Sequence, residues 1–182
     1  MDEWVDIWTS EGSPTGEKVL KSEAHRKGLF HPTVHLWIGN SKQELLLQQR
    51  ALQKKTFPGK WDVSVAGHIS AGDQPLATAV RECEEELGIT IDTADLDLIA
   101  ILRSEIKHSE TLTDREFHHI YFTKLDLPLT AFTLQKEEVA QVKWFPISQF
   151  KVMQEQPEQH KEMIPFEKDY LLELYRYISL KE

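Results

Sequence analysis

The chain has 182 residues, 40% hydrophobic and 28% charged, with a formal net charge of −9. That length and composition fit one domain able to bury its own core, without help from disulfides or a structural metal. The acidic balance argues against nucleic acid and anionic membrane surfaces as partners, and no stretch approaches the roughly 18 apolar residues of a membrane span. A phosphate-bearing substrate stays open, because divalent ions can invert the local field at a carboxylate site. The single cysteine, Cys83, excludes an intramolecular disulfide. The opening residues Met1 to Asp6 are acidic and lack the apolar run of a secretory leader. The expectation is a cytoplasmic protein.

Glu3 to Trp8 is short and β-prone, the turn formers of 11–16 follow, and residues 17–22 read as a returning strand. Residues 1–24 therefore read as a hairpin-like extension and 25–182 as the main domain. Thr33–Ile38 and Glu44–Gln48 read as a hairpin around Gly39-Asn40-Ser41-Lys42, and 50–60 as a basic segment ending in the loop Phe57-Pro58-Gly59-Lys60. Trp61–Val65 is a short strand, and Gly67–Gly72 a glycine-bracketed loop. Asp73–Leu87 reads as a helix stopped by Gly88, with Asp73 as its N-cap and Pro75 in its first turn. Asp97–Arg103, Glu116–Leu125 and Gln141–Phe145 are strand candidates. Ile147–Glu155 and Phe166–Leu180 are helical, the latter with Leu171, Leu174, Tyr175 and Ile178 on one face. Strands and helices mix without regular alternation, which predicts an α/β fold with a mixed sheet flanked by helices.

The helix from 73 to 87 carries the chemistry. Leu76, Ala79, Val80, Cys83 and Leu87 recur at spacings of three and four and make an apolar face. Glu82, Glu85 and Glu86 share another face. With Glu84 they repel one another near the negative end of the helix dipole, at a few tenths of a kcal/mol per pair. A divalent cation bound among them removes that cost, and Mg²⁺ takes hard carboxylate oxygens together with phosphate oxygens of a substrate. Arg81 is placed to brace a carboxylate. A solvated acidic helix face is the alternative.

The surrounding residues favour the site. The string Gly67-x5-Asp73-x7-Arg81-Glu82-Cys83-x-Glu85-Glu86-x-Gly88-Ile89 resembles the signature of the Nudix hydrolases, Gly-x5-Glu-x7-Arg-Glu-apolar-x-Glu-Glu-x-Gly-apolar. Six identities at fixed offsets, each at a residue frequency of about 5–10%, would arise by chance roughly once in ten million windows. The departure is Asp73 where the pattern has Glu, and its shorter side chain points to a structural role. The resemblance implies an α/β/α sandwich and Mg²⁺- or Mn²⁺-dependent cleavage of a diphosphate linkage, in a nucleoside diphosphate derivative or a related small diphosphate. It implies Glu82, Glu85 and Glu86 as metal ligands. The acid that orients or deprotonates the water remains open among the motif acids, Glu116, and the Glu137/Glu138 pair, with Glu138 preferred. Arg50, Lys60 and Arg103, with Lys54 and Lys55, are candidates for substrate phosphates.

Leu46 to Arg50 and Phe57 to His68 resemble a branch near the type 1 isopentenyl-diphosphate isomerases, a likeness that spans roughly residues 3–150. Those isomerases use a cysteine just before the motif glycine. Here that residue is Ala66, which cannot deliver a proton to an alkene. Cys83, on the apolar helix face, reads as a core residue. The isomerase reading is therefore the weaker alternative, and a non-catalytic binding module the third. The isomerase-like metal site, drawn here from His25, His31, His68, Asp114 and Glu116, would favour Mn²⁺ or Zn²⁺. His35, His118 and His119 compete for places in it. Ser64 and Ser70 sit in no nucleophile elbow, and no Walker-type loop occurs. The terminal extension and the last helix leave a homodimer open.

Overall fold

The computed structural model describes residues 2–181, and its first strand already follows the expected alternation. Residues 1 and 182, the outer ends of the two expected spans, lie outside the described residues. β1 (Trp4–Trp8) and β2 (Pro14–Leu20) pair antiparallel as a separate two-stranded sheet. Val5 and Ile7 point inward onto Ala24, Val19 and Leu29. The chain does not stay extended to residue 22. It turns at Leu20 into α1 (Lys21–Lys27), which ends on Gly28 in the left-handed conformation. The expected boundary between 24 and 25 therefore falls inside a helix.

The second sheet has seven strands. They are β3 (His31–Gly39), β4 (Glu44–Arg50), β5 (Trp61–Asp62), β6 (Val65–His68), β7 (Asp97–Ser109), β8 (Leu112–Lys124) and β9 (Val139–Pro146). β3 is buried along nearly its whole length, as expected of a strand covered on both faces. One edge pairs in parallel with β8, from His31↔Glu116 to Gly39↔Lys124. The other edge is divided: β6 pairs with Thr33–Leu36, and β4 pairs only with Ile38 and Gly39. The sheet thus forks. Ser64, fully buried between the branches, closes the fork: its Oγ accepts from the Ile38 N–H at 2.9 Å and donates to the Leu46 carbonyl. β7 and β8 run well beyond the expected strands and form a long antiparallel arm.

Alternation along β3 sets two cores. Val34, Leu36 and Ile38 face α2 (Pro75–Leu87), where Ala79, Cys83 and Leu87 complete one apolar cluster. Trp37 faces the other way, into a cluster with Phe150 of α3 (Ile147–Glu155) and Tyr170, Leu174 and Ile178 of α4 (Lys168–Leu180). The result is helix, mixed sheet, helix. α2 starts at Pro75 with Gln74 as its N-cap, and no side chain caps it. Asp73 is not the cap; its N–H donates to the Ser70 carbonyl in the preceding turn. No helix of the described residues is long and apolar enough to cross a membrane.

Candidate active site

The parity of β3 that sends Val34 and Leu36 to α2 sends His31, Thr33 and His35 to the opposite face. The parallel register sets Glu116 beside His31 and His118 beside Thr33. The β6 register sets His68 beside Thr33 from the other edge. His25 arrives from α1. The outcome is a cluster of His25, His31, His68 and Glu116, with one ligand atom from each lying within 4.8 Å of all the others. His25 Nε2 is 3.1 Å from His68 Nε2, and Glu116 Oε1 is 3.4 Å from His68 Nε2 and 3.6 Å from His31 Nε2.

Each histidine that can be assigned a tautomer turns the free nitrogen inward. His31 Nδ1 donates to the Leu29 carbonyl at 2.9 Å, which leaves Nε2 bare; that atom is buried and has no hydrogen-bond partner. His25 Nδ1 lies 3.3 Å from Asp114 Oδ1, and Asp114 Oδ2 lies 2.8 Å from His108 Nε2. Asp114 lies beside His25 and outside the four-residue cluster, with its Oδ1 buried and without a hydrogen-bond partner. Burial, reinforced by the neighbouring His68 and His31, pulls His25 down to about 4. Burial likewise lowers His68. It would raise Glu116, but contacts to His31 and His68 hold that carboxyl well below the usual carboxylate range. His25 and His68, lowered, and Glu116, ionised, are in the states a divalent cation requires, while the Glu116 carboxylate raises His31 against its burial, so a cation there would displace a proton. The donor set and the orphaned His31 Nε2 thus fit a divalent metal ion.

The acidic turn of α2 abuts the same strand from its other face. Gly67 lies directly against Glu82: a Cβ built there would sit 2.3 Å from Glu82 Cδ. Glu86 Oε2 accepts from Gln48 Nε2 at 3.0 Å, and the Ala66 N–H lies 3.4 Å away. Burial, then the charge of Glu82, pushes Glu86 up to about 8. Burial pushes Glu82 up to about 7 against the opposing charge of Arg81. Arg81 grips Glu82 and Glu85 at 2.9 Å each. Glu85 is half exposed and engages only Arg81.

A cleft of about 1560 Å³ opens over the histidine face. Ala66, Gly67, His68, Asp114 and Glu116 line it, but Glu82, Glu85 and Glu86 do not. Arg50 lines it and is anchored by Asp62 at 3.1 Å and by Thr56. Glu138 lines it in an ion pair with Lys54, which lies near enough to Glu86 to lower it. Arg103 lies on the rim, bound to Glu105 and stacked over Phe30. Lys60 is off the cleft, its ammonium 5.6 Å above the Phe57 ring. Cys83 is fully buried in the α2 core, and burial pushes its thiol up to about 12. No local pattern singles out Asp62, His108 or Tyr170. Tyr170 hides at the start of an amphipathic helix, and only the 170/174/178 spacing marks it as inward-facing.

A model of the NUDIX domain matches residues 29–166. The chain belongs to the Nudix family. Nudix hydrolase 3 of Arabidopsis thaliana is 41% identical over 154 residues, covering 82% of this chain. The chain spans only 20% of that relative's length. An isopentenyl-diphosphate Delta-isomerase of Serratia proteamaculans is 32% identical over 126 residues, covering 69% of this chain and 68% of the isomerase. A crystal structure of a Deinococcus radiodurans protein superposes with a TM-score of 0.66 at 21% identity, covering 82% of this chain and 87% of that one. That superposition concerns the fold. The acidic turn of α2 and the histidine cluster lie on opposite sides of β6, where Gly67 abuts Glu82 and His68 approaches Glu116.

Proposed function

We propose that the protein is a divalent-metal-dependent diphosphohydrolase that cleaves a diphosphate linkage in a nucleoside diphosphate derivative or a related small diphosphate. The observation that carries this reading is the back-to-back arrangement at Gly67. A ready-made His₃Glu donor set faces the cleft, and the Glu82/Glu86 pair backs the same residues. Within this reading, His25, His31, His68 and Glu116 hold a transition-metal ion. Glu82 and Glu86, joined by Glu85 on release from Arg81, hold Mg²⁺ or Mn²⁺. Bound divalent ions supply charge neutralisation on the diphosphate oxygens.

The chain's own side chains do the rest. Arg50, pinned by Asp62 and Thr56, presents its guanidinium with little entropy left to lose. Lys54 reaches the same region, and Arg103 guards the rim. Glu138 is released whenever Lys54 turns to a phosphate and can then accept a proton from water, while Glu116 stays ionised among the histidines.

The isomerase reading draws support from the same histidines. It fails at the proton: Ala66 lines the cleft where a thiol would be needed, and Cys83 lies buried on the far face. A panel of nucleoside diphosphate derivatives assayed for metal-dependent phosphate release, with isopentenyl diphosphate isomerisation in parallel, separates the two. Glu85→Gln is the control, expected to lose at least about a hundredfold in turnover. Isomerisation without cleavage would reverse the assignment.

A further inference from the structure

The loop between β4 and β5, residues 51–60, reaches across the cleft. β3 and β8 lie between β4 and β7 in the sheet, so three strand spacings, roughly 14 Å, separate the loop's parent strand from β7. Yet the Phe57 ring meets the ring of His108, on β7, edge-on, with centroids 5.1 Å apart and planes at 76°. Both residues line the cleft. The loop therefore arches over the strand ends that carry His31 and Glu116. His108 is a fixed anchor, because Asp114 holds its Nε2 at 2.8 Å. The packing around Phe57 is slighter. Its ring belongs to none of the three apolar clusters, and the Lys60 ammonium lies 5.6 Å above it. Its φ of 47° is in the left-handed region, where a bulky side chain is strained. Pro58 follows, and a proline pushes the residue before it toward extended backbone. Strain of this kind and one edge-on aromatic contact are of similar size. The contact is therefore nearly balanced, as a moving part requires. The base of the loop is firm: the Arg50 N–H donates to the Lys60 carbonyl at 2.9 Å and the Gly59 N–H to the Arg50 carbonyl at 3.1 Å. Pinned ends make the stretch between them a compact unit.

We propose that residues 51–60 form a lid over the cleft, that Phe57 is its catch on His108, and that a diphosphate taken by Arg50 and Lys54 holds the lid shut. The proposal rests on the diphosphate-cleaving reading and adds a moving part to it. Arg50 is the link. Its Nε–H donates to the Thr56 carbonyl at 3.1 Å and its Nη2–H to the Thr56 hydroxyl at 3.2 Å, both on the lid, while Nη1–H donates to Asp62 at 3.1 Å. A guanidinium carries five N–H donors, so Arg50 can take an anion without letting go of Thr56. Lys54, on the lid itself, is paired with Glu138. An anion held by both cations ties the lid to the sheet a second time. Without it, the Phe57 catch and the bonds at Thr56 and Lys54 carry the closure alone. Substrate enters with the catch released, and closing over it shields the charges inside from bulk water.

Amide hydrogen exchange tests this, with Mn²⁺ in every sample and methylenediphosphonate, a diphosphate that cannot be cleaved, as the probe. In the wild-type protein, saturating probe should slow exchange at residues 52–57 at least about tenfold. Phe57→Ala keeps the strained backbone and loses the catch. Without probe, its loop amides should exchange about three- to tenfold faster than the wild type's, while those of β3 stay unchanged. Phe57→Tyr keeps the ring and should match the wild type. Loop amides that exchange alike with and without the probe overturn the proposal, and so does a Phe57→Ala loop no faster than the wild type's. Turnover of nucleoside diphosphate derivatives is measured on the same preparations. A lid that answers the probe in a protein that cleaves nothing would sink the hydrolase reading alone, and turnover beneath an unresponsive loop would sink the lid alone.

Discussion

A single methyl group added at Gly67 would enter the space of Glu82. The ideal Cβ lies 2.3 Å from Glu82 Cδ and 2.5 Å from both Cγ and Oε1, whereas carbon atoms rest at about 3.5–4.0 Å. In Gly67→Ala the carboxylate must therefore withdraw by more than about 1 Å. It can do so, because it is the end of a flexible side chain, at a cost near that of modest overpacking, about 1–3 kcal/mol. For a domain of this size that corresponds to a fall of roughly 2–12 °C in Tm. The functional effect should be larger. Misplacing a catalytic group by about 1 Å is worth on the order of a hundredfold in rate, and the Arg81–Glu82 contact at 2.9 Å is lost with it. His25, His31 and Glu116 are untouched, so Mn²⁺ binding to the cluster should survive while kcat collapses and the Mg²⁺ requirement rises. Initial rates across a Mg²⁺ titration, with scanning calorimetry alongside, measure both quantities. A well-folded Gly67→Ala protein with unchanged kcat and Mg²⁺ dependence would refute the idea that Glu82 acts through this close approach.

His31→Ala should weaken Mn²⁺ binding at least about a hundredfold by calorimetry, and His108→Ala, which frees Asp114 behind His25, about tenfold; equal effects would contradict the assignment of Asp114 to the outer layer. Stability of the metal-free protein should peak near pH 6.5. Above that pH, Glu82 and Glu86, with folded values of about 7 and 8, surrender protons that an unfolded chain already lost near 4.5, so burial costs the folded state increasingly, a few kcal/mol in all. Below it, the unfolded chain takes up protons that buried His25 and His35, both near 4, and His118, near 3, refuse. Thermal unfolding in chelator from pH 5 to 8.5 reads this directly, and a Tm that climbs steadily to pH 8.5 would contradict it. Cys83→Ala should retain full turnover and lose about 1–2 kcal/mol of stability, as expected for a small buried side chain, and the native thiol should react with iodoacetamide only on unfolding.

Local pattern carried much of the architecture. The α2 helix, its stop at Gly88 and its apolar and acidic faces follow from spacing alone, and the central strands fall where alternation places them. Two kinds of information were out of reach. α1 has one buried residue, Ala24, and no periodicity to announce it, yet it delivers His25. The cleft depends on register: His31 meets Glu116 only because β3 and β8 run parallel in one particular alignment across 85 residues. No local pattern encodes that pairing. The same blindness explains Lys60, which sits in the right loop but turns its ammonium onto Phe57.

The divided edge of β3, closed by the Ser64 hydroxyl, puts a four-residue partition between two workshops. The glutamates of α2 face it from the helical side, and the imidazoles of His68 and its neighbours face it from the other. Side chains at 33, 35 and 118 can be exchanged without repacking the glutamate turn, and the glutamate turn can be tuned without reshaping the cleft floor. A scaffold divided this way lets each side vary on its own, because the residues that touch both are Ala66 and Gly67, which line the cleft and back onto the glutamate turn.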